Sequence, residues 1–323
     1  MTTSAETTLR LGTRKSALAL AQSSQVARAL EAVVPGLRVV LVPRTTRGDV
    51  VRGDLAAVGG KGLFTEELER GLLDGTLDLA VHSLKDLPVT LADGLTVAAY
   101  PERGDPRDVL VSEEAADLAG LEPGAVLLTG SLRRRAQILL VRPDLVVEPL
   151  RGNVDTRLRK WRESKAAGVL LAAAGLARLG LDDLPAHLLS PEFFLPAPGQ
   201  GTLALETRAG TAAEALCARL NHPPTAAAAL AERRVVAAFG GDCTLPLAAW
   251  AREEDGGLRL SALLATPDGR LSACGDVFGM DPVAVAVACV AALREDGADD
   301  VLALTSPTLL SQPPVHPPRE EGE

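Results

Sequence analysis

The amino-acid sequence predicts two α/β lobes followed by a small α+β domain. The first two-thirds of the 323 residues alternates short apolar runs with amphipathic stretches, a pattern typical of α/β units with a mainly parallel sheet. This pattern restarts after Pro101–Pro106, which indicates a second lobe. The last third has two strands between two helices, which is typical of a small α+β domain. The full length of 323 residues accommodates two or three domains at ~100–200 residues each.

Helical spacing of apolar residues in the first lobe predicts helices over Ser16–Val34 and Leu63–Leu73. Strands are predicted over Thr8–Gly12, Leu37–Val42, Leu77–Val81 and Leu95–Tyr100. A later strand, Thr202–Glu206, is predicted to return to this lobe.

The second lobe has helices predicted over Ser131–Val141, with Ser131 as the N-cap, and over Asp155–Ala166. Its predicted strands are Val109–Val111, Ala125–Thr129, Leu145–Leu150 and Val169–Ala173. In the last third, the Pro267–Gly269 turn joins two strands. The elements predicted there are helix Thr225–Phe239, strands Leu258–Thr266 and Leu271–Phe278, and helix Val283–Arg294.

The expected domain boundaries follow these patterns. We expect residues 1–101 with 202–219 to form the first lobe, 106–197 the second and 221–310 the α+β domain. Residues 311–323 contain four prolines and a charged end, which predicts a disordered tail.

Charge and cysteine content restrict the class of protein. The net charge of −9 argues against a nucleic-acid binder. Residues 133–165 nevertheless carry ten basic and four acidic side chains, which suits a small polyanionic ligand, although a solvated helix face is the alternative. No signal peptide, transmembrane segment or metal-ligand spacing of cysteines is evident, so we expect a cytoplasmic protein with free thiols and no metal.

Two strand-to-helix turns share one design, at Gly12–Ser16 and at Thr129–Arg135. A helix N-terminus with a nearby arginine such as Arg14 can bind an anion, so one such turn per lobe predicts a cleft that grips an anion from both sides. Ordinary helix capping beside exposed arginines is the alternative. The Gly59–Gly62 loop lacks the Walker A spacing, although Lys61 could still meet an anion.

Two further segments carry reactive groups. In His82–Pro88, Asp86 could handle a proton or stabilise a cation, and Lys85 could bind a carboxylate or form a Schiff base. The Gly240–Pro246 loop makes Cys243 a candidate nucleophile or attachment point. The other three cysteines lie in apolar stretches and are predicted to be small buried hydrophobes.

Taken together, these segments resemble the hydroxymethylbilane synthase (porphobilinogen deaminase) family over about Arg10 to Ala248. The matching stretches include RLGTRKSALALAQ, GGKGLFTEELE, AVHSLKDLP, RGDPRDVLVS, GSLRRRAQ, LRGNVDTRL, LPAPGQGTLALE, AER and GGDCTLP. The resemblance implies two lobes like those of class II periplasmic binding proteins and a third domain with the cofactor loop.

The resemblance also implies site residues. It implies a dipyrromethane cofactor joined to Cys243 by a thioether, and Asp86 as the catalytic carboxylate. The residues that it implies for cofactor binding are Lys85, Asp86, Ser83, Thr129, Ser131, Arg133, Arg134 and Arg157. Those that it implies for substrate binding are Arg14, Ser16, Phe64, Arg151, Arg157, Arg178 and Gln200. Three departures from the family pattern are Gly130, Asp242 and Ala57-Val58.

The activity implied is that of a transferase in porphyrin and haem biosynthesis. Four porphobilinogen molecules would be joined head to tail on the primer with loss of ammonia, and water would then release the linear tetrapyrrole. The expected partner is porphobilinogen alone, with no nucleic acid and no membrane, and the expected state is a monomer. A solute-binding module without catalysis is the main alternative, and a regulatory protein that uses the basic patch is another.

Overall fold

The computed structural model describes residues 7–45, 65–240 and 245–305. The strands described are β1 (Thr7–Arg14), β2 (Leu37–Arg44), β3 (Leu79–Ser83), β4 (Leu95–Ala99), β5 (Asp108–Val111), β6 (Val126–Leu128), β7 (Val146–Glu148), β8 (Gly168–Ala172), β9 (Ala186–Leu188), β10 (Leu203–Arg208), β11 (Leu247–Glu254), β12 (Gly257–Ala265) and β13 (Ser272–Gly279). The helices described are α1 (Ala17–Val33), α2 (Glu66–Leu73), α3 (Leu132–Val141), α4 (Val154–Arg162), α5 (Ala173–Leu179), α6 (Ala212–Cys217), α7 (Pro223–Ala238), α8 (Pro282–Glu295) and α9 (Ala298–Leu304). Short 3₁₀ turns cover Leu84–Asp86 and Ala218–Leu220.

The first lobe is a five-stranded sheet in the order β2-β1-β3-β10-β4. Strands β1, β2 and β3 are parallel, whereas β10 pairs antiparallel with both β3 and β4. Leu11, Leu30, Leu79 and Leu205 are fully buried between the sheet and α1. Burial of each such side chain contributes about 1.5–3 kcal/mol.

The second lobe repeats this arrangement in the order β7-β6-β8-β5-β9. Strands β6, β7 and β8 are parallel, and β5 pairs antiparallel with β8 and β9. Each lobe thus has four strands that run in one direction and one antiparallel strand that arrives from the other lobe. This is the class II periplasmic-binding-protein arrangement, so the predicted fold class is confirmed.

The third domain is an antiparallel sheet, β11-β12-β13, covered on one face by α7 and α8. Its hairpin turn reaches the second lobe, where Arg135 Nε donates to the carbonyl of Pro267 at 3.2 Å. Its helix α7 reaches the crossover segments between the lobes through the fully buried Glu232. That carboxylate accepts hydrogen bonds from Arg103, from the Gly199 N–H and from the Ala251 N–H.

Several predicted elements have different limits in the structure. The helix predicted to Ala166 ends at Arg162, because the chain turns there to begin β8 at Gly168. Strand β3 starts at Leu79 and not at Leu77, since the Leu77 N–H closes the turn on Gly71 O at 2.8 Å. Ser131 caps α3, as predicted. Elements that the sequence patterns missed are β9, β11, α5, α6 and α9.

Within residues 7–45, 65–240 and 245–305, no helix combines the length and apolar character needed to cross a membrane.

Candidate functional site

The reactive segment of the first lobe lies at the carboxyl end of β3. The strand passes directly into the 3₁₀ turn Leu84–Asp86, whose buried Leu84 donates its N–H to Thr202 O at 3.0 Å. The Asp86 side chain is exposed, and Lys85 Nζ donates to Gln200 Oε1 at 3.3 Å. The fold therefore presents one carboxylate and one ammonium side by side at the end of a strand, where ligands of α/β sheets bind.

Lys85 lies among several charged side chains. Burial lowers the pKa of its ammonium to about 8, Asp86 opposes this shift, and the arginines Arg134 and Arg133 reinforce it. A lysine in this state loses its charge more readily than an exposed one. The desolvation that a Schiff-base role needs is therefore present, as is the positive charge that a carboxylate-binding role needs at neutral pH.

The corresponding part of the second lobe is a buried ionic cluster around Asp108. Arg133 Nη1 donates to Asp108 Oδ2 at 2.7 Å, and Arg134 donates through Nε and Nη2 to Asp108 Oδ1 at 2.9 and 2.7 Å. Burial alone would raise the pKa of Asp108, but the two guanidiniums outweigh it and hold that pKa well below its usual range. Asp108 is thus an ionised counter-ion shared by two arginines.

Gln200 connects the two clusters. Its amide oxygen accepts from Lys85 of the first lobe, while its amide nitrogen donates to Asp108 Oδ1 at 3.0 Å and to Pro106 O at 2.7 Å. The residue is almost completely buried. A neutral side chain therefore bridges the charged groups of both lobes.

Arg157 of α4 lies near both Arg134 and Asp86. Burial lowers the pKa of its guanidinium, with a further lowering by Arg134 and an opposing effect of Asp86. Its Nε donates to Gly152 O at 2.7 Å. The structure thus brings Arg157, Arg134 and Asp86 within electrostatic range of one another, although they come from three separate segments of the chain.

Two other predicted arginines have contacts of a different kind. Arg151 is exposed, and its carbonyl accepts from Lys160 Nζ at 3.2 Å. Arg178 donates to Gly201 O at 2.7 Å, and burial lowers its pKa to about 10. Together with Arg28 and Arg103, Arg178 lines a cavity of about 620 Å³ whose lining includes neither Lys85 nor Asp86.

The predicted hydroxyl groups mostly stabilise the local backbone. Ser16 caps α1 and Ser131 caps α3, each by accepting a main-chain N–H of the first helical turn. Thr129 accepts from the Ser131 N–H at 3.2 Å, and Ser83 accepts from Gln22 Nε2 at 2.9 Å. Both predicted helix N-termini therefore form as expected, and their serines cap the helices.

Arg14 and Gly130 are the remaining predicted residues of the two strand-to-helix turns. Arg14 is the last residue of β1 and is partly buried. A Cβ at Gly130 would lie 2.5 Å from Leu150 O, so the absence of a hydroxyl side chain at that position has a steric reason.

Several predicted residues lie outside the residues that the structure describes. These are Cys243, Phe64, Lys61, Asp242 and Ala57-Val58, together with residues 311–323. Among the other cysteines, Cys217 and Cys289 are buried as predicted, and burial raises the pKa of each thiol to about 12. The prediction for Cys274 is wrong, because this residue is exposed on β13, the last strand of its sheet.

Sequence analysis missed Asp108 and Glu232. Asp108 opens the apolar strand β5, and Glu232 interrupts an Ala-rich helix. A charged residue inside an otherwise apolar pattern is the signal that could have identified both, because buried charges in proteins are almost always paired.

Two family models match this chain. Residues 9–215 match the family model described as porphobilinogen deaminase, dipyromethane cofactor binding domain, and residues 226–297 match its C-terminal domain. A solved ancestral cationic amino acid solute binding protein is 14% identical, with a TM-score of 0.43, over 66% of this chain and 87% of that one.

Proteins named porphobilinogen deaminase are similar over most of the chain. The protein of Ralstonia nicotianae is 46% identical over 93% of this chain and 92% of its own length. The protein of Paraburkholderia phytofirmans is 47% identical over 91% and 88%, and that of Bordetella parapertussis is 48% identical over 93% and 97%. The chain therefore belongs to the porphobilinogen deaminase family of transferases, whose cofactor is a dipyrromethane.

Proposed function

We propose that this protein is a hydroxymethylbilane synthase. It joins four porphobilinogen molecules head to tail on a dipyrromethane held at Cys243, releases ammonia at each addition, and finally releases the linear tetrapyrrole with water. The observation that carries the proposal is the meeting of cations from both lobes around the exposed Asp86. Porphobilinogen bears an acetate and a propionate, so a cleft that binds several units needs many cations and few carboxylates.

The described residues fit a dipyrromethane. Among the described residues, four cations, Lys85, Arg133, Arg134 and Arg157, lie in electrostatic contact with two carboxylates, Asp86 and Asp108. Two positive charges are therefore in excess, and two of the four carboxylates that the cofactor carries would balance them. Arg133 Nε is buried without a hydrogen-bond partner among the described residues, which is consistent with donors in reserve for an anion.

The proposed roles of the individual residues are those that the family resemblance implies. Lys85, Arg133, Arg134 and Arg157 would hold the carboxylates of the cofactor, with Ser83, Thr129 and Ser131 beside them. The residues that would bind incoming porphobilinogen are Arg14, Ser16, Phe64, Arg151, Arg157, Arg178 and Gln200. When bound, the dipyrromethane supplies the pyrrole carbon to which the first substrate unit is joined.

Asp86 would act on the substrate. When the aminomethyl C–N bond of porphobilinogen breaks, its electron pair leaves with ammonia, and the remaining pyrrole carries positive charge. A carboxylate placed beside that charge stabilises the transition state and can assist proton transfer to the leaving amine. Exposure of Asp86 to the cleft makes the carboxylate available for this role, whereas Asp108 is occupied by its arginines.

The thiols of the described residues support the choice of Cys243 for attachment. Burial raises the pKa of Cys217 and Cys289 to about 12, and burial together with Asp296 raises that of Cys274. At neutral pH all three are protonated, and a thiol in this form is a poor nucleophile.

Intact mass spectrometry tests the proposal against a binding module without catalysis. We expect the purified protein to exceed its sequence mass by one dipyrromethane, to react with Ehrlich's reagent and to consume porphobilinogen. Cys243→Ser should lose the added mass, whereas the control Cys274→Ser should keep it. A protein of bare sequence mass that takes up no primer from porphobilinogen would disprove the proposal.

A further inference from the structure

Helix α7 of the third domain contacts the backbone immediately after Asp86. Arg233 Nη1 donates to Leu87 O at 3.2 Å, and Arg233 Nη2 donates to Pro88 O at 2.8 Å and to Val89 O at 2.9 Å. One guanidinium thus binds three successive carbonyls. Hydrogen bonds from a charged donor are stronger than those between neutral groups, so this contact fixes the path of the chain after the turn.

The other side of the same turn is held by apolar packing. Leu84 and Leu87 are buried with Ala204 of β10 and Ala229 of α7. Gly199 packs so closely that a Cβ there would lie 2.8 Å from Leu84 Cγ. The two leucines anchor the turn on either side of Lys85 and Asp86, and Asp86 itself is exposed.

The neighbouring residue on α7 contacts the crossover segments. Glu232 binds Arg103 and the N–H of Gly199, while Arg233 binds the chain after Asp86. Consecutive side chains of one helix therefore connect the crossover segments between the lobes to the chain that follows Asp86. The third domain has a structural means of setting where Asp86 lies relative to both lobes.

We propose that Arg233 is a positioning residue for Asp86, acting through the carbonyls of residues 87–89. This inference rests on the proposed role of Asp86. It assigns to the third domain a part in the chemistry of the first lobe, in addition to its cofactor loop. Misplacement of a reacting group by about 1 Å can reduce a rate by about 10²-fold, so a modest shift of this segment would be measurable.

The test compares Arg233→Met with Arg234→Met in protein loaded with cofactor. Arg234 is the exposed neighbour on the same helix and serves as the matched control. We expect Arg233→Met to lower kcat about 10- to 100-fold while the KM for porphobilinogen and the cofactor mass stay near wild type. Arg233→Lys should recover part of the rate. A kcat within twofold of wild type in the loaded Met variant would overturn the proposal.

A double-mutant cycle separates positioning from a general structural role. In an Asp86→Asn background, Arg233→Met should cause no further loss of rate, because the group that Arg233 positions is already absent. An equal loss in both backgrounds would show that Arg233 acts elsewhere and would overturn the proposal. If Arg233→Met does not fold, Arg233→Gln replaces it in the same cycle.

The same double-mutant cycle tests the positioning role of Arg233 separately from the catalytic role of Asp86. Wild-type turnover by Asp86→Asn alone would refute the role of Asp86, and with it this inference. Loss of turnover by Asp86→Asn, combined with normal kcat in loaded Arg233→Met, would refute only the positioning role.

Discussion

The two lobes share a sheet order but present different carboxylates at their strand ends. In the first lobe, Asp86 is exposed and its neighbour Lys85 contacts a neutral amide. In the second lobe, Asp108 is buried and accepts hydrogen bonds from Arg133 and Arg134. Environment decides what each carboxylate can do, because a buried one shared by two arginines is held as a counter-ion, whereas an exposed one can act on a substrate.

Removal of the counter-ion should produce the largest change in stability. Asp108→Asn leaves two buried arginines without their carboxylate, and loss of one partner of a buried ion pair costs about 3–5 kcal/mol. Urea denaturation measures the free energy of unfolding. The control Asp105→Asn breaks a partly exposed pair with Arg107 and should cost under about 1 kcal/mol. Equal losses in the two variants would show that Asp108 is not the counter-ion described here.

The contact between the second lobe and the third domain should have a smaller effect. Gly269 has a φ of +70°, and a Cβ there would lie 2.5 Å from the Leu140 N of α3. We expect Gly269→Ala to cost about 1–3 kcal/mol through steric overlap.

Gly256→Ala is the matched control, because Gly256 has a φ of +76° with no atom near its Cβ position. It isolates the cost of a positive φ. If both variants lost the same free energy of unfolding, the close approach of the hairpin to α3 would be without consequence.

Lys85 of the first lobe should give an effect that is visible as a pH dependence of stability. Its pKa in the folded protein is about 8, below the ordinary value of 10.5. Between these values the unfolded chain binds more protons, so the stability contributed by this group rises as pH increases from about 8 to 10.5.

Cofactor-free Cys243→Ser protein should therefore gain stability over this range relative to Cys243→Ser/Lys85→Met, by about 2–3 kcal/mol. Urea denaturation at several pH values measures the difference. Parallel stability curves for the two proteins would contradict the assigned environment of Lys85.

Local patterns predicted much of the fold because they reflect local physics. The 3.6-residue period identified α1 and α2, and Ser131 was a recognisable cap of α3. The period failed for α5 and α6, which have only seven and six residues and so offer too few turns for a repeat. Strand β11 was missed because its register depends on pairing with β12.

The candidate site was predictable in its residue types but not in its pairings. Arg133 and Arg134 were expected to bind ligand carboxylates, and nothing local shows that Asp108, 25 residues earlier than Arg133, already accepts from both. The contact of Arg233 with Leu87 joins residues 146 apart in sequence. Such pairs form only when distant segments fold together. A single sequence therefore signals them only where a charged residue interrupts an apolar pattern. The domain boundaries and the roles of the individual site residues stay predictions.

The turnover number of cofactor-loaded Asp86→Asn measures the catalytic role of Asp86. We expect kcat for porphobilinogen consumption to fall by about 10²–10⁴-fold, because the amide can neither stabilise the developing cation nor assist proton transfer. Its melting temperature should stay close to that of the wild type, since the side chain is exposed. A loaded variant that turns over within tenfold of the wild-type rate would contradict the account.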